Sequence, residues 1–192
     1  MEKKLLILGA GGHGKAVAEA AKLNKEWTHI AFIDDRWPQL KMVVDIPVVS
    51  DIKGLRDISS QYSVAIVAIG NNKTRLEWFN LLEAIDLSIV SIIHPSASVS
   101  LTAQIGKGTA VMALAVIGVD AKVGQGCIIN AHSTVDHDVI LDEFAHIGVG
   151  VHLAGGVRIG KRAVLQSGSC AGYNVIVADD EFFEPGTVLK RL

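Results

Sequence analysis

Aromatic residues are scarce in this sequence of 192 residues, at 5% of the total, although 49% of the residues are hydrophobic. A core with so few rings has to be built from Val, Ile, Leu and Ala. The length suits one large domain or two small ones, and it is sufficient to bury a core.

Cysteine and net charge are also low, and each excludes a class of protein. The two cysteines, Cys127 and Cys170, have neither the spacing of a zinc site nor the number of a disulfide framework, which predicts a reducing, cytoplasmic location. The formal net charge of −2 lacks the basic excess of proteins that bind nucleic acid or anionic membranes.

Long apolar runs are missing as well. No stretch approaches the roughly 18 apolar residues of a membrane helix. The N-terminal MEKKLLILGAGGHGK is charged and then apolar, like a signal peptide, but its apolar run is short and leads into a glycine loop. We therefore interpret it as a first strand.

The first half of the sequence alternates apolar runs with helical patterns. KLLILGA, HIAFIDD, VAIVAIG and SIVSIIH predict strands, whereas GGHGKAVAEAAKLN and NNKTRLEWFNLLEAI predict helices. Strands that alternate with helices imply a parallel sheet with right-handed crossovers. The sequence thus predicts a Rossmann-like α/β half domain over residues 1–90.

From Ile93 onward the hydrophobic pattern repeats every six residues. All but two of the positions six apart are Ile, Val or Leu: Ile93, Val99, Ile105, Val111, Ile117, Val123, Ile129, Val135, Leu141, Ile147, Leu153, Ile159, Leu165, Ala171, Val177, Phe183 and Leu189. A small or β-branched residue stands four positions after most of them. Six is not a helical period, and the irregular turns of a sandwich would not keep one phase for so long.

A strict six-residue period is typical of a parallel β-helix. Three hexads form one 18-residue coil of triangular section, with the aliphatic residues inside and the small residues beside the corners. The sequence predicts a left-handed β-helix of about five to six coils over residues 91–192.

Coil geometry separates the histidines that cluster in residues 130–156. Residues 18 apart stack, so His137 lies next to Gly155, where a missing side chain leaves open space and a free N–H for a ligand carbonyl. His146 is half a coil from His137, on the order of 10 Å or more away. They cannot meet within one chain, but they can meet if prisms pack around a three-fold axis, and a shared site would then be an intersubunit site.

The other two histidines of this stretch, His132 and His152, are expected to face solvent. Because the four histidines scatter around the prism, we predict no metal site. His137 stands between two acids, and a carboxylate beside an imidazole raises its basicity and fixes its tautomer. Position favours Asp138 as that partner, with Asp136 as the alternative.

Taken together, these motifs resemble a known family. The six-residue coil, VDHDVILDEFAHIGVGVHLAGGVRIG, and GAGGHG followed by IDD and AIGNN are similar to the sialic acid O-acetyltransferase/nucleotide-amino-sugar N-acetyltransferase family over nearly the whole chain. The similarity extends in particular to bacterial enzymes that acetylate the 4-amino group of UDP-4-amino-4,6-dideoxy sugars, as in bacillosamine-type glycan biosynthesis. It implies a homotrimer with acetyl-CoA between adjacent prisms.

The resemblance also implies residue roles. His137 matches the general base, with Asp138 as its carboxylate partner, and Asn130 matches an asparagine near the sugar. The residues that it implies for acetyl-CoA binding are His146, Gly155, Gly156 and Ser167. Since a thioester is an activated acyl donor, the amine can attack it directly, and Cys127, at a small-residue position of the coil, is expected to be core rather than a nucleophile.

The glycine loop GAGGHG satisfies G-x-G-x-x-G, and an acidic pair follows where a ribose-binding acid belongs. Alone this pattern predicts NAD binding, but only half a dinucleotide fold is present, so a nucleotide-linked substrate fits better. We expect the loop amides to hold its diphosphate. His13 either contacts phosphate or sugar or merely adjoins the helix cap. The expected substrate-binding residues are Gly11, Gly12, His13, Gly14, Asp34, Asp35, Gly70, Asn71, Asn72 and Asn130.

Three functions compete. The leading one is transfer of acetyl from acetyl-CoA to the 4-amino group of a nucleotide-linked, UDP-type sugar. The second is O-acetylation of a sialic acid or another sugar hydroxyl. The third is a non-enzymatic coil scaffold whose α/β half senses a nucleotide, and the DHD motif stacked against a glycine disfavours it.

Overall fold

In the α/β half, the apolar runs of the sequence form buried parallel strands. In the computed structural model, which describes residues 3–191, its elements are β1 Lys4–Leu8, α1 Gly12–Asn24, β2 His29–Ile33, β3 Met42–Val43, β4 Ile46–Ser50, a 3-10 helix Ile52–Gly54, α2 Leu55–Ser59, β5 Val64–Val67 and α3 Asn72–Ala84. The sheet order is β3-β4-β2-β1-β5. All pairs are parallel except β3 with β4, and β3, β4 and α2 had no sequence prediction.

The prediction of one strand for SIVSIIH was wrong. Only Ile89 bridges the α/β sheet, opposite Ala65. Ile92–Ile93 form β6, which pairs with β9 in the second half of the chain. The apolar run is continuous because Ile92 is buried where the two halves pack together, so burial alone does not mark the change from one sheet to the other.

The second half is the predicted left-handed β-helix. Its strands have two residues each: β6 Ile92–Ile93, β7 Ser98–Val99, β8 Gln104–Ile105, β9 Ala110–Val111, β10 Val116–Ile117, β11 Lys122–Val123, β12 Ile128–Ile129, β13 Thr134–Val135, β14 Ile140–Leu141, β15 His146–Ile147, β16 His152–Leu153, β17 Arg158–Ile159, β18 Val164–Leu165, β19 Cys170–Ala171, β20 Ile176–Val177, β21 Phe182–Phe183 and β22 Val188–Leu189.

Every third strand stacks in parallel, which gives three sheets that run from β7 to β22, β8 to β20 and β6 to β21. Partners are 18 residues apart, as in Val135 opposite Leu153. The inward aliphatic residues are buried and form one core, as the six-residue period predicts. Many of the corner turns use a left-handed residue, such as Asp138 at φ +59° and Gly156 at φ +71°.

One of the three sheets, β6-β9-β12-β15-β18-β21, packs against the α/β half, and we call this interface the seam. Ile92 and Met112 share an apolar cluster with Val17 of α1. Phe144 meets Phe79 of α3 edge to face, with ring centroids 5.2 Å apart. Direct packing across the seam therefore holds the α/β half against the β-helix. Within residues 3–191, no helix combines the length and apolar character needed to cross a membrane.

Candidate active site

His137 lies in the turn Asp136–Asp138 between β13 and β14, and we call this turn, together with the stacked Ala154–Gly156, the His137 corner. The Asp138 carboxylate lies 2.8 Å from Nδ1 of the imidazole, whereas the Asp136 carboxylate is 4.0 Å from Nε2. Asp136 instead accepts the backbone N–H of His137 at 2.8 Å. Of the two acids that the sequence offered, Asp138 is therefore the one that orients the ring.

The two carboxylates also set the protonation of His137. The hydrogen bond to Asp138 raises the pKa of the imidazole above its usual 6.5, and the charge of Asp136 raises it further. Because a carboxylate oxygen can only accept, the neutral form of the imidazole carries its proton on Nδ1 and keeps a lone pair on Nε2. The ring is exposed at the surface, so this lone pair can take a proton from a bound group.

Gly155 stacks on the His137 ring, as the coil spacing predicted. A Cβ placed on Gly155 would collide with the Cε1 and Nε2 atoms of the imidazole, so the ring itself occupies the space that we expected to be open. Within residues 3–191 the Gly155 N–H makes no hydrogen bond. The same corner position carries Val119 and Tyr173 in the coils on either side of His137 and Gly155. Of these four stacked positions, Gly155 is the one without a side chain.

The other residues expected to bind acetyl-CoA are placed differently. The Gly156 N–H donates to the His137 carbonyl at 3.1 Å, so this glycine builds the corner rather than presenting a free donor. Ser167 is exposed on another corner, where its carbonyl accepts the Gly186 N–H at 3.0 Å. Asn130 is half-buried one coil below Gly148, and its side-chain oxygen accepts the Ala131 N–H at 2.9 Å.

His146 lies in the seam, on β15, and not at the His137 corner. Its Nδ1 is 3.3 Å from the Gly70 carbonyl of the α/β half. Burial lowers the pKa of the imidazole to about 4, and the positive charge of Arg75 lowers it further. His146 is therefore neutral at physiological pH. Within one chain it is separated from His137 by the width of the prism, since the two residues stand on different sides.

His13, in the first turn of α1, lies in the same seam. Its Nε2 is buried and has no hydrogen-bond partner among residues 3–191. Burial, followed by the charges of His146 and Arg75, lowers the pKa of this imidazole to about 3. The seam thus holds two neutral histidines, one from each half of the chain.

The glycine loop divides into open and packed positions. Gly11 and Gly12 are exposed, and a Cβ on either would meet nothing within 4 Å. The N-terminus of α1 is therefore accessible to an anion. Gly14 is buried instead, and its missing side chain lets the helix approach the Gly9 carbonyl.

Two of the residues expected to hold the nucleoside have side chains engaged within the protein. Asp34 accepts the Ala10 N–H at 2.8 Å and pairs with Arg36, at 2.6 Å from Nε. The hydrogen bond to Arg36 is the main reason that the pKa of Asp34 is lowered to about 2. Asn72 is buried and donates to the Arg162 carbonyl at 2.6 Å across the seam.

The two exposed polar residues of that set also have local partners. Asn71 caps α3 by accepting the Thr74 N–H at 3.0 Å. Asp35 accepts the Ile52 N–H at 3.3 Å. Both positions remain accessible, so they can still reach a ligand beside the exposed Gly70.

Arg75 is the residue at the seam that sequence reasoning missed. It is 1% exposed and lies on the buried stripe of α3. Its signal in the sequence was its spacing, since it stands three residues before Trp78 and four before Phe79, which are buried on the same stripe. A charged residue at a core position of a helix needs a buried partner.

His132, His152 and Cys127 have surroundings of their own. His152 is exposed, with Nδ1 3.1 Å from the Thr134 hydroxyl, and His132 is an exposed turn residue at φ +57°. Cys127 is fully buried, as predicted, and burial raises the pKa of its thiol to about 12. Among residues 3–191 no group of three or more His, Cys, Asp or Glu side chains could hold a metal ion.

Comparison with known proteins supplies the family. Residues 4–82 match the PglD N-terminal domain. Over 117 residues the chain is 30% identical to the UDP-N-acetylbacillosamine N-acetyltransferase of Bacillus subtilis (strain 168), an alignment that covers 58% of this chain and 52% of that protein. The chain thus spans about half the length of this curated relative.

Solved structures match over nearly the whole chain. The acetyltransferase domain of PglB from Neisseria gonorrhoeae FA1090, in complex with acetyl coenzyme A, is 36% identical with a TM-score of 0.93, covering 99% of this chain and 94% of that one. A histidine mutant of perosamine N-acetyltransferase from Caulobacter crescentus, in complex with CoA and GDP-perosamine, is 35% identical with a TM-score of 0.92, covering 97% and 90%. The chain belongs to this family of acetyl-CoA-dependent, bacillosamine- and perosamine-type sugar N-acetyltransferases.

Proposed function

We propose that this protein transfers the acetyl group of acetyl-CoA to the 4-amino group of a nucleotide-linked 4-amino-4,6-dideoxy sugar, with UDP as the nucleotide. The observation that carries the proposal is the His137 corner, where Asp138 orients an exposed imidazole beside a bare glycine. Relatives named for UDP-N-acetylbacillosamine and for perosamine support an amino-sugar acceptor. A relative that holds acetyl coenzyme A supports the donor.

The chemistry needs a base and no nucleophile from the protein. The amine nitrogen attacks the thioester carbonyl, and the C–N bond forms as the carbonyl oxygen becomes an oxyanion. His137 Nε2 takes the proton that the nitrogen loses, with Asp138 balancing the charge of the imidazolium. The C–S bond then breaks, and the CoA thiolate leaves and takes up the proton held by His137, which returns the imidazole to its neutral form.

The Gly155 N–H is the donor that we assign to the oxyanion. It has no hydrogen-bond partner within residues 3–191, and it belongs to the residue that packs against the His137 imidazole. One such donor is typically worth roughly 3 kcal/mol of transition-state stabilisation. Gly156 supports this geometry by fixing the His137 carbonyl, and the exposed Ser167 is assigned to the acetyl-CoA path along the coil.

For the nucleotide sugar we assign the open edge of the α/β half. The exposed Gly11 and Gly12 at the start of α1 can hold the diphosphate, and Asn71 and Asp35 flank the nucleoside. We assign His13 to the sugar end, because its buried Nε2 has no hydrogen-bond partner among residues 3–191. Asp34 acts indirectly, since it holds the loop through the Ala10 N–H.

We further propose a cytoplasmic homotrimer in which His137 of one chain meets His146 of the partner subunit, which then contacts acetyl-CoA. Within a chain the two histidines lie on different sides of the prism, so both can serve one site only across an interface. Exposed apolar side chains along the column of the His137 corner, Leu101, Val119 and Tyr173, support packing of prisms there.

A substrate screen tests the proposal. The protein is mixed with acetyl-CoA and one acceptor at a time: a UDP-, dTDP- or GDP-linked 4-amino-4,6-dideoxy sugar, the matched 4-hydroxyl sugar, or sialic acid. Product masses are measured by mass spectrometry, and the free CoA thiol is titrated. We expect one acetyl group to be added to an amino sugar, and none to the matched sugar with a 4-hydroxyl. If sialic acid or the 4-hydroxyl sugar alone were acetylated, the protein would be an O-acetyltransferase; with no acetylated product at all, the proposal is wrong.

A further inference from the structure

Arg75 is an unusual residue to bury, because no carboxylate among residues 3–191 pairs with its charge. All five N–H groups of the guanidinium donate to neutral oxygens. Removing a cation from water without an anion is costly, so such a group persists only where its hydrogen bonds are complete. The complete set around Arg75 meets that condition.

The acceptors of Arg75 come from both halves of the chain. Nε donates to the Gly126 carbonyl at 2.7 Å and Nη2 to the Phe144 carbonyl at 2.7 Å, both in the β-helix. Nη1 donates to the carbonyls of Ile69 and Gly70, at 2.9 and 3.2 Å, in the loop after β5. One side chain thus fixes that loop against the coil.

The Gly70 carbonyl links Arg75 to His146. The same oxygen lies 3.3 Å from Nδ1 of His146. Since a carbonyl can only accept, this contact puts the His146 proton on Nδ1 and leaves Nε2 as an acceptor. The positive charge of Arg75 opposes a second proton on His146 and on His13, and it thereby reinforces the effect of burial.

We propose that Arg75 is a positioning residue for the nucleotide-sugar end of the active site, fixing the Gly70 loop and, through the Gly70 carbonyl, the tautomer of His146. The proposal rests on the proposed function, because that function assigns the nucleotide sugar to this loop. Arg75 itself has no free N–H with which to contact a ligand.

Two variants separate the geometry of Arg75 from its charge, with Arg56→Gln, an exposed arginine of α2, as the control. Arg75→Gln removes the charge, whereas Arg75→Lys keeps it but loses the planar fork. For both we expect KM for the nucleotide amino sugar to rise about tenfold and KM for acetyl-CoA about threefold or less. Among the proposed acetyl-CoA contacts, only His146 adjoins Arg75. Equal changes in the two KM values, or none beyond about twofold in a folded variant, would overturn the proposal.

Histidine NMR titration provides a readout that a merely structural role would not move. Arg75→Gln should raise the pKa of His13 and His146, whereas Arg75→Lys should leave both low. If neither variant folds, the wild-type protein decides: both imidazoles should stay neutral down to about pH 5, and titration of either near 6.5 would contradict the arrangement. Should the wild type acetylate no amino sugar, the proposed function fails while this titration still tests Arg75.

Discussion

His137 and His146 stand nine residues apart on the same coil and have opposite surroundings. His137 is exposed and flanked by two carboxylates, which raise its pKa. His146 is enclosed in the seam near the cation of Arg75, and its pKa is lowered to about 4. The first imidazole can gain a proton during a reaction, whereas the second stays neutral.

This difference shows that the surroundings of a histidine depend on the side of the prism on which it lies. A corner between two coil sheets is exposed and admits acids beside the histidine, and stacking puts a glycine next to it. The sheet that carries His146 is covered by the α/β half, so a histidine there is desolvated. Changes at each place should therefore have different consequences.

The largest effect is expected from His137→Ala. Loss of a positioned general base lowers kcat by about 10²- to 10⁴-fold, with little change in KM for acetyl-CoA. Steady-state kinetics at saturating substrates measure it. His152→Ala, an exposed histidine on the next coil, is the matched control and should keep the wild-type rate. A His137→Ala rate within about threefold of wild type would remove His137 from the role of base.

A smaller loss is expected from Gly155→Ala. The added methyl group collides with the imidazole and covers the free N–H, so we expect kcat to fall by about 10²-fold. Gly172→Ala is the control, because its Cβ would meet the nearest atom, the Leu189 carbonyl oxygen, at an ordinary 3.8 Å. Equal activities of the two variants would show that the close contact between Gly155 and His137 has no catalytic importance.

The smallest effect is expected from Cys127→Ala. The thiol is fully buried with a pKa raised to about 12, so it cannot act as an acyl carrier, and the rate should not change. The free energy of unfolding of the Cys127→Ala variant should fall by about 1 kcal/mol, because a core atom and its contact with the Asp142 carbonyl are lost. Urea denaturation measures this change. An inactive but folded variant would point instead to an acyl-enzyme.

Sequence reasoning worked best where the environment repeats. The six-residue period fixed the β-helix because each inward position meets the same surroundings every coil, and the spacing of 18 placed Gly155 on His137 for the same reason. The prediction of one strand for SIVSIIH was wrong because its residues pair with two different sheets, Ile89 with the α/β sheet and Ile92–Ile93 with the β-helix.

Contacts across the seam could not be predicted in this way. Arg75 is satisfied by backbone carbonyls 51 and 69 residues further along the chain, and a backbone carbonyl has no residue identity to recognise. Asp34 and Asn72 fit a nucleotide site by motif, yet their side chains hold the glycine loop and the seam. Whether such a side chain binds a ligand or another part of the protein depends on how the chain folds around it and on how the two halves pack together.

The most direct test of His137 as the base is the pH dependence of kcat/KM for wild type and Asp138→Asn. The base works when neutral, so wild-type kcat/KM should rise with pH through a pKa above 6.5 and then level off. Without the Asp138 carboxylate the His137 pKa falls, and this limb should move to lower pH, while the limb from the substrate amine stays in place. If the His137 limb had the same pKa in both proteins, His137 would not be the base.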